Sequence, residues 1–179
     1  MRAQFVTERL RLRRFTPEDA ADHLRLYRDP EVTRMLGGGP FDEARARARS
    51  AAALARFERH WTEHGYGVYA LGDRETGRLV GQCGLTPLPD LPEIEILYLL
   101  ERPCWGRGLA PEAARAVLAH AFEEVGLERI VAVTRPEHVA SRRVMEKLGM
   151  RQEADVTVWG VHAVCYAISR EAFRAGAAA

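Results

Sequence analysis

The sequence predicts an α+β protein built around a central strand–helix–strand–helix unit. Alternating strand patterns and helical apolar periodicity follow one another along the chain, and the central unit occupies residues 94–148. The chain has 179 residues, of which 47% are hydrophobic and 28% are charged, and it contains neither a repeat nor a linker-like segment. We therefore expect one domain that spans residues 1–179.

Capping residues and glycines predict where the amino-terminal elements begin and end. Thr16-Pro17 and Asp29-Pro30 each combine an N-capping side chain with a proline in the first helical turn. The glycines at 37–39 are expected to end the second helix, and Gly65 to end the third. The predicted segments are a strand at Leu10–Leu12, a helix from Pro17 to about Arg28, a short helix after Pro30, and a long helix from Asp42 to His64.

Apolar patterns predict the remaining strands and two further helices. Asp73–Gly77 has the length and composition of a hairpin turn. The segment Pro111–Val125 places an apolar stripe along one helical face and is followed by Gly126. The predicted strands are Tyr66–Leu71, Leu79–Leu85, Ile94–Leu100, Ile130–Thr134, Val156–Val158 and Val161–Ile168, and the predicted helices are Pro111–Val125 and Val139–Leu148.

Composition excludes several classes of partner. A formal net charge of +1 lacks the concentrated positive charge that nucleic-acid or membrane-surface binding requires. No apolar run approaches the roughly 20 residues of a membrane helix, so a cytoplasmic protein is expected. The widely spaced Cys83, Cys104 and Cys165 predict buried thiols and neither disulfides nor a metal site. The expected partner is a small molecule or a peptide.

A glycine-containing segment between an apolar strand and an amphipathic helix is the best candidate for a binding site. Trp105-Gly106-Arg107-Gly108-Leu109-Ala110 occupies this position. Unpaired N–H groups and the helix dipole make such a turn attractive to anions, although the glycines alone also fit a simple tight turn. A dinucleotide-binding loop is disfavoured because Pro111 stands where its third glycine is needed.

This segment resembles the acetyl-CoA pyrophosphate loop of the GNAT superfamily of N-acetyltransferases, whose pattern is (Gln/Arg)-x-x-Gly-x-(Gly/Ala). Gly108 and Ala110 match its small positions, and Trp105 is familiar from the ribosomal-protein N-acetyltransferase (RimJ/RimL) branch. Other segments resemble that branch in the same order: Thr7–Arg13, Asp29–Val32, Gly77–Leu85, Glu95–Tyr98 and Ser141–Met150.

The resemblance implies a GNAT fold, with helices on both faces of a mixed sheet and a V-shaped splay between the strands at 94–100 and 130–134. It implies transfer of acetyl from acetyl-CoA to a primary amine by direct attack, without a metal. The α-amino group of a protein or peptide is the first choice of acceptor. A small amine such as an aminoglycoside, polyamine or amino acid is the alternative, and a homodimer remains open.

The resemblance also implies roles for individual residues. Glu95 is the expected general base and Ser141 the expected proton donor, because Met145 stands where many relatives have a tyrosine. Considered by residue type alone, Glu95 also fits an exposed strand residue and Ser141 a capping or solvent-facing one. A binding module without turnover is a further alternative. The expected cofactor-binding residues are Leu97, Tyr98, Leu99, Leu100, Arg102, Trp105, Gly106, Arg107, Gly108, Leu109, Ala110, His138, Ser141 and Arg143.

His60-Trp61-Thr62-Glu63-His64 matches an H-x-x-E-H pattern found in some zinc peptidases. A helix would place both histidines on one face, but no third ligand is evident and Gly65 follows at once. We therefore interpret the pattern as a helix end, remote from the splayed cleft.

Overall fold

The structure, a computed structural model, describes residues 4–36, 39–89, 91–158 and 160–177. Eight strands form one mixed sheet in the order β1-β2-β3-β4-β5-β6-β8-β7. Only the β5–β6 pair is parallel, and the other neighbours are antiparallel. The strands are β1 (Gln4–Val6), β2 (Leu10–Arg13), β3 (Val68–Asp73), β4 (Leu79–Pro87), β5 (Ile94–Leu100), β6 (Arg129–Thr134), β7 (Arg151–Val158) and β8 (Val161–Ser169).

The helices agree closely with the capping signals. Asp42 accepts a hydrogen bond from the Arg45 N–H at the start of the long helix, and Gly65 ends that helix in the left-handed conformation. A 3-10 turn at Pro17–Asp19 leads into the first helix. The helices are α1 (Ala20–Arg28), α2 (Pro30–Thr33), α3 (Glu43–His64), α4 (Leu109–His120), α5 (Val139–Lys147) and α6 (Arg170–Ala177).

Several boundaries differ from the sequence predictions. α2 ends at Thr33, before the glycines expected to end it, and Gly37 and Gly38 lie outside the described residues. α4 begins at Leu109, ahead of the predicted Pro111, because Gly108 turns the chain in the left-handed conformation directly before it. Residues 121–125 continue α4 as a π-helical turn, since the N–H groups of Gly126 and Leu127 both reach the Ala121 carbonyl.

Helices cover both faces of the sheet. α4 and α5 supply Ala113, Val117 and Met145 to one apolar cluster. α1 and α3 supply Leu26 and Phe57 to a second apolar cluster. The sheet therefore lies between two helical layers, as the α+β prediction required. None of the helices in the described ranges is long and apolar enough to cross a membrane.

A buried polar contact fixes α1 and α3 on the sheet. The His23 Nδ1 lies 2.7 Å from Ser50 Oγ, and its Nε2 lies 2.8 Å from Gln82 Oε1. Burial lowers the pKa of His23 to about 4, so the ring is neutral at physiological pH. One side chain thus links α1, α3 and β4, and holds α3 in a defined position over the sheet.

The two parallel strands separate soon after they meet. Glu95 opposite Val131 is the one registered pair between β5 and β6 in the described ranges. Toward their carboxyl ends, residues 97–100 of β5 and 132–134 of β6 therefore face each other without pairing. This arrangement agrees with the V-shaped splay expected from the resemblance.

Candidate active site

The loop that follows β5 presents a run of backbone N–H groups. Gly106 and Gly108 both have left-handed backbone conformations, with φ of +71° and +78°. None of the N–H groups of residues 106–110 donates a hydrogen bond to another described residue, and Pro111 has none to donate. Unpaired donors at the start of α4 form an anion site in which the helix dipole also favours negative charge.

Two side chains attach this loop to its neighbours. The Trp105 indole N–H donates to the Leu100 carbonyl at 2.8 Å, which ties the loop to the end of β5. Arg9 donates from Nη1 to the Arg107 carbonyl at 2.8 Å and from Nε to Glu112 Oε2 at 2.7 Å. Glu112 also accepts from the backbone N–H of Arg9. The segment before β2 therefore braces the loop and the first turn of α4.

Three predicted cofactor-binding side chains outside the loop differ in the partners that they already have. Arg102 lies 3.2 Å from Asp29 in an ion pair. Arg143 is exposed on α5 and has no acidic partner among the described residues. His138 precedes α5, and its Nδ1 lies 3.2 Å from Thr134 Oγ1 at the end of β6. Arg143 is thus available to an added anion, whereas Arg102 would first have to leave its carboxylate partner.

Tyr98 and Ser141 bring two hydroxyls together at the splay. The Tyr98 hydroxyl lies 3.0 Å from Ser141 Oγ, where either group can donate, and donates to the Ser141 carbonyl at 3.1 Å. Ser141 is 8% exposed, so the interpretation of this residue as solvent-facing is wrong. Burial raises the pKa of Tyr98. The sequence predicted Tyr98 as a cofactor-binding residue but not the contact of its hydroxyl with Ser141, which depends on how α5 packs against β5.

Glu95 lies on the opposite face of β5 from Ile94 and Ile96, which pack in the α4-side cluster. Its side chain lines a cleft of about 300 Å³ beneath the last turns of α3. Glu95 is 5% exposed, so the interpretation of this residue as an exposed strand glutamate is wrong. Burial raises the pKa of Glu95 to about 8, against a lowering effect of the Arg56 charge.

The H-x-x-E-H residues line the same cleft as Glu95, so their expected remoteness from the site is wrong. The cleft is lined by Arg56, Arg59, His60, Glu63, His64, Thr86, Pro87, Pro89 and Glu95. α3 crosses the sheet so that its last two turns lie over the amino-terminal end of β5, which the sequence pattern did not reveal. In the described part of the chain, no group of three or more His, Cys, Asp or Glu residues could hold a metal ion.

The chemical elements of an acyl transfer therefore surround the point where β5 and β6 separate. An anion-binding loop lies at one end, a hydroxyl pair lies on the α5 side, and a buried carboxyl with a pKa near neutrality lies on the α3 side.

Comparison with known proteins agrees with this geometry. The family model described as an acetyltransferase (GNAT) domain matches residues 9–151. YkkB of Bacillus subtilis is 33% identical over 169 residues, covering 88% of this chain and 91% of its own length. The crystal structure of an acetyltransferase from Agrobacterium tumefaciens is 28% identical, with a TM-score of 0.81, covering 94% of this chain and 95% of its own. The chain belongs to the GNAT family.

It is an acetyl-CoA-dependent N-acetyltransferase, as its relatives with this domain are named. The aminoglycoside acetyltransferase AAC(6')-Ib, crystallised with coenzyme A, shares the fold with a TM-score of 0.71 at 18% identity. Binding of acetyl-CoA and an α+β GNAT fold are therefore confirmed, and the non-catalytic and zinc-peptidase alternatives are set aside.

Proposed function

We propose that the acceptor is the α-amino group of a protein or peptide, as in the RimJ/RimL branch. The motifs that resemble this branch, above all the Trp105 loop, support the assignment. A second line of support is a Bacillus subtilis protein assigned as the ribosomal N-acetyltransferase YdaF, which is 31% identical over 75 residues and covers 40% of this chain.

In the proposed mechanism, the N–H groups of residues 106–110 bind the pyrophosphate of acetyl-CoA. The freed edges of β5 and β6 bind its pantetheine arm and bring the thioester to the splay. The acceptor nitrogen attacks the thioester carbonyl carbon directly, and the carbon–sulfur bond then breaks. Glu95 takes the proton from nitrogen, and Ser141 delivers a proton to the departing thiolate.

An acyl-enzyme is not part of the mechanism. Cys83, Cys104 and Cys165 are all buried, and burial raises the pKa of each thiol. A nucleophilic cysteine needs the opposite, a lowered pKa and access to substrate. Buried free thiols also fit the cytoplasmic, single-domain protein that we propose.

The observation that carries the proposed mechanism is the buried Glu95 beside the splay. A carboxyl with a pKa of about 8 is matched to an α-amine, whose pKa is about 7.7–8.0, better than to a lysine amine near 10.4. Proton transfer between groups of similar pKa is close to thermoneutral, which favours general base catalysis.

A small amine is the second candidate acceptor. The FsC-acetyl coenzyme A-N(2)-transacetylase of Aspergillus fumigatus is 31% identical over 160 residues, covering 80% of this chain and 63% of its own length. Its name describes acetyl transfer from coenzyme A to an N(2) nitrogen of FsC, so the same site could take an acceptor other than a protein N-terminus.

A mass-spectrometric screen separates the two candidates. Peptides with free N-termini, the same peptides with blocked N-termini, and a panel of small amines are incubated with acetyl-CoA. We expect acetylation at the α-amine and none of the blocked peptides. Turnover confined to small amines would support the second candidate, and acetylation of lysine in the blocked peptides would contradict the pKa argument.

A further inference from the structure

The lining of the Glu95 cleft is positively charged on its α3 side. Arg56 and Arg59 lie one helical turn apart and both reach the cleft. Neither forms an ion pair with a carboxylate among the described residues, and the Arg56 guanidinium lies over the Phe57 ring, 5.5 Å from its centroid. By contrast, Arg14, which directly follows β2, is paired with Glu58 of α3.

The nearby carboxyl groups do not neutralise these arginines. Glu95 is mostly uncharged at pH 7, because burial raises its pKa to about 8. Glu63 is the one further acidic residue of the lining, and its carboxylate lies 3.9 Å from His64 Nε2. The cleft therefore carries an excess of positive charge at neutral pH.

A buried and unpartnered imidazole adds a third group. His60 is 6% exposed, and its Nε2 has no hydrogen-bond partner among the described residues. Burial and the neighbouring His64 lower the pKa of His60, so its ring is neutral. When the single proton of the neutral ring is on Nε2, the ring offers a buried N–H without an acceptor, which costs free energy until a ligand supplies one.

We infer that the cleft selects an acidic acceptor, an amine that carries a carboxylate within reach of Arg56 and Arg59 and of the His60 N–H. This inference rests on the proposed function, since it takes the Glu95 cleft as the acceptor site. Guanidinium groups bind carboxylates through paired hydrogen bonds, and a charged hydrogen bond is stronger than a neutral one. The carboxylate has two sources, an acidic side chain next to a peptide N-terminus or the α-carboxylate of a small amino-acid-like acceptor.

Matched acceptors test the inference by binding and by turnover. Ala-Glu-Ala-amide is compared with Ala-Gln-Ala-amide for the acidic side chain, and Ala-Ala with Ala-Ala-amide for a terminal carboxylate. Binding is measured by calorimetry in the presence of CoA, and kcat and KM are measured with acetyl-CoA. We expect at least one acidic member to bind and react about tenfold or more better than its amide partner, as loss of a charged hydrogen bond predicts. The pair that shows the preference identifies the source of the carboxylate.

Substitutions in the cleft show which residues cause the preference for acidic acceptors. Arg56→Gln with Arg59→Gln should remove the preference by raising the acceptor KM, and Arg56→Glu with Arg59→Glu should reverse it toward Ala-Lys-Ala-amide. His60→Gln should weaken the acidic acceptor severalfold. Arg47→Gln is the matched control, since Arg47 lies near the start of the same helix and outside the lining. All variants should keep the affinity of the parent protein for acetyl-CoA.

These experiments distinguish failure of the inference from failure of the proposed function. The inference is overturned if the acidic acceptors and their amide partners bind equally well. It is also overturned if the preference survives in both double variants of Arg56 and Arg59. In either case acetyl transfer to α-amines stands. Failure of all four acceptors to bind also overturns it. Tight and selective binding without transfer would support the inference and contradict the proposed function.

Discussion

The pKa of Glu95 gives the activity a defined dependence on pH. The carboxyl ionises near pH 8, so wild-type kcat/KM should rise with pH and level off above that value. Glu95→Gln should lower the rate about tenfold to a hundredfold near pH 8. The loss should shrink at pH 6, where Glu95 is protonated in any case, and at pH 9, where an α-amine deprotonates unaided. A loss that is constant from pH 6 to 9 would contradict the base assignment.

Other ionisable or charged side chains also line the cleft. Arg56, Arg59, His60, Glu63 and His64 face it from α3. His162→Gln is the control, because it removes an exposed histidine outside the lining and should leave the pH profile unchanged.

The same residue should make stability depend on pH. The folded-state pKa of about 8 is above the ordinary value of 4.5, so the native state binds the proton more tightly. The stabilisation from Glu95 is full below about pH 4.5 and is lost as the pH rises through 8. Relative to wild type, Glu95→Gln should gain roughly 3–5 kcal/mol in free energy of unfolding between pH 5 and 9. Denaturant titrations at both pH values measure this change, and parallel curves would show that Glu95 is not desolvated.

Tyr98 and Ser141 should act as a unit in delivering the proton. Ser141→Ala is expected to lower kcat about tenfold or more, with little change in acetyl-CoA affinity. Because the two hydroxyls are 3.0 Å apart, Tyr98→Phe should also lower kcat, and the double variant should lose less than the product of the single losses. Single-turnover kinetics isolate the chemical step. If both single variants keep full turnover, water carries the proton.

At the scale of the loop, Gly108 tests the proposed contact with the pyrophosphate. Its φ of +78° is strained for a β-branched residue, although an added Cβ would meet only the Arg9 Nη2, at 3.5 Å. Gly108→Val should therefore shift the loop and abolish acetyl-CoA binding in calorimetry, while circular dichroism shows the fold retained. Gly160→Val is the matched control, since Gly160 has a φ of +70° between β7 and β8 and an added Cβ there would meet nothing within 4 Å. Unchanged acetyl-CoA affinity in the Gly108 variant would contradict the loop assignment.

At the scale of elements, the sequence predicted the helices and strands whose signals lie within the element itself. The helices α3 and α4 are examples, because capping by Asp42 and Gly65 marks the ends of α3 and an apolar stripe runs along α4. β7 was predicted only from Val156 onward, since its first five residues are exposed and mostly polar and show no apolar alternation. β1 and α6 were missed because both lie at the edge of the structure and bury little.

The sequence predicts the proposed site only where one contiguous segment forms it. The proposed phosphate loop is such a segment, and its glycines and Trp105 are the signal. The acceptor cleft joins α3 to β4 and β5, and the brace joins Arg9 to Glu112, so both depend on packing between segments distant in sequence. His60 was consequently placed far from Glu95, although both line one cleft.

At the scale of the whole molecule, the sheet consists of two halves that meet at the β5–β6 pair. Strands β1–β5 form one antiparallel ribbon and β6–β8 the other, with one registered residue pair between them. A ligand whose amides bond to both freed strand edges joins the two halves. Since acetyl-CoA binds the native state, it should stabilise the protein by about 2.7 kcal/mol at a hundredfold excess over Kd.

Hydrogen exchange locates that stabilisation. Saturating acetyl-CoA should slow exchange at residues 97–100 and 132–134, which face the splay, and at the loop N–H groups of residues 106–110. The β7–β8 hairpin, which is paired along most of its length and lies outside the loop, should gain only the protection that follows global stabilisation. CoA and a pyrophosphate-containing fragment that lacks the pantetheine arm are the matched ligands. CoA should protect both regions and the fragment only the loop, because the strand edges need the amide-bearing arm. If acetyl-CoA itself protects the loop but not the strand edges, the splay does not bind the pantetheine arm.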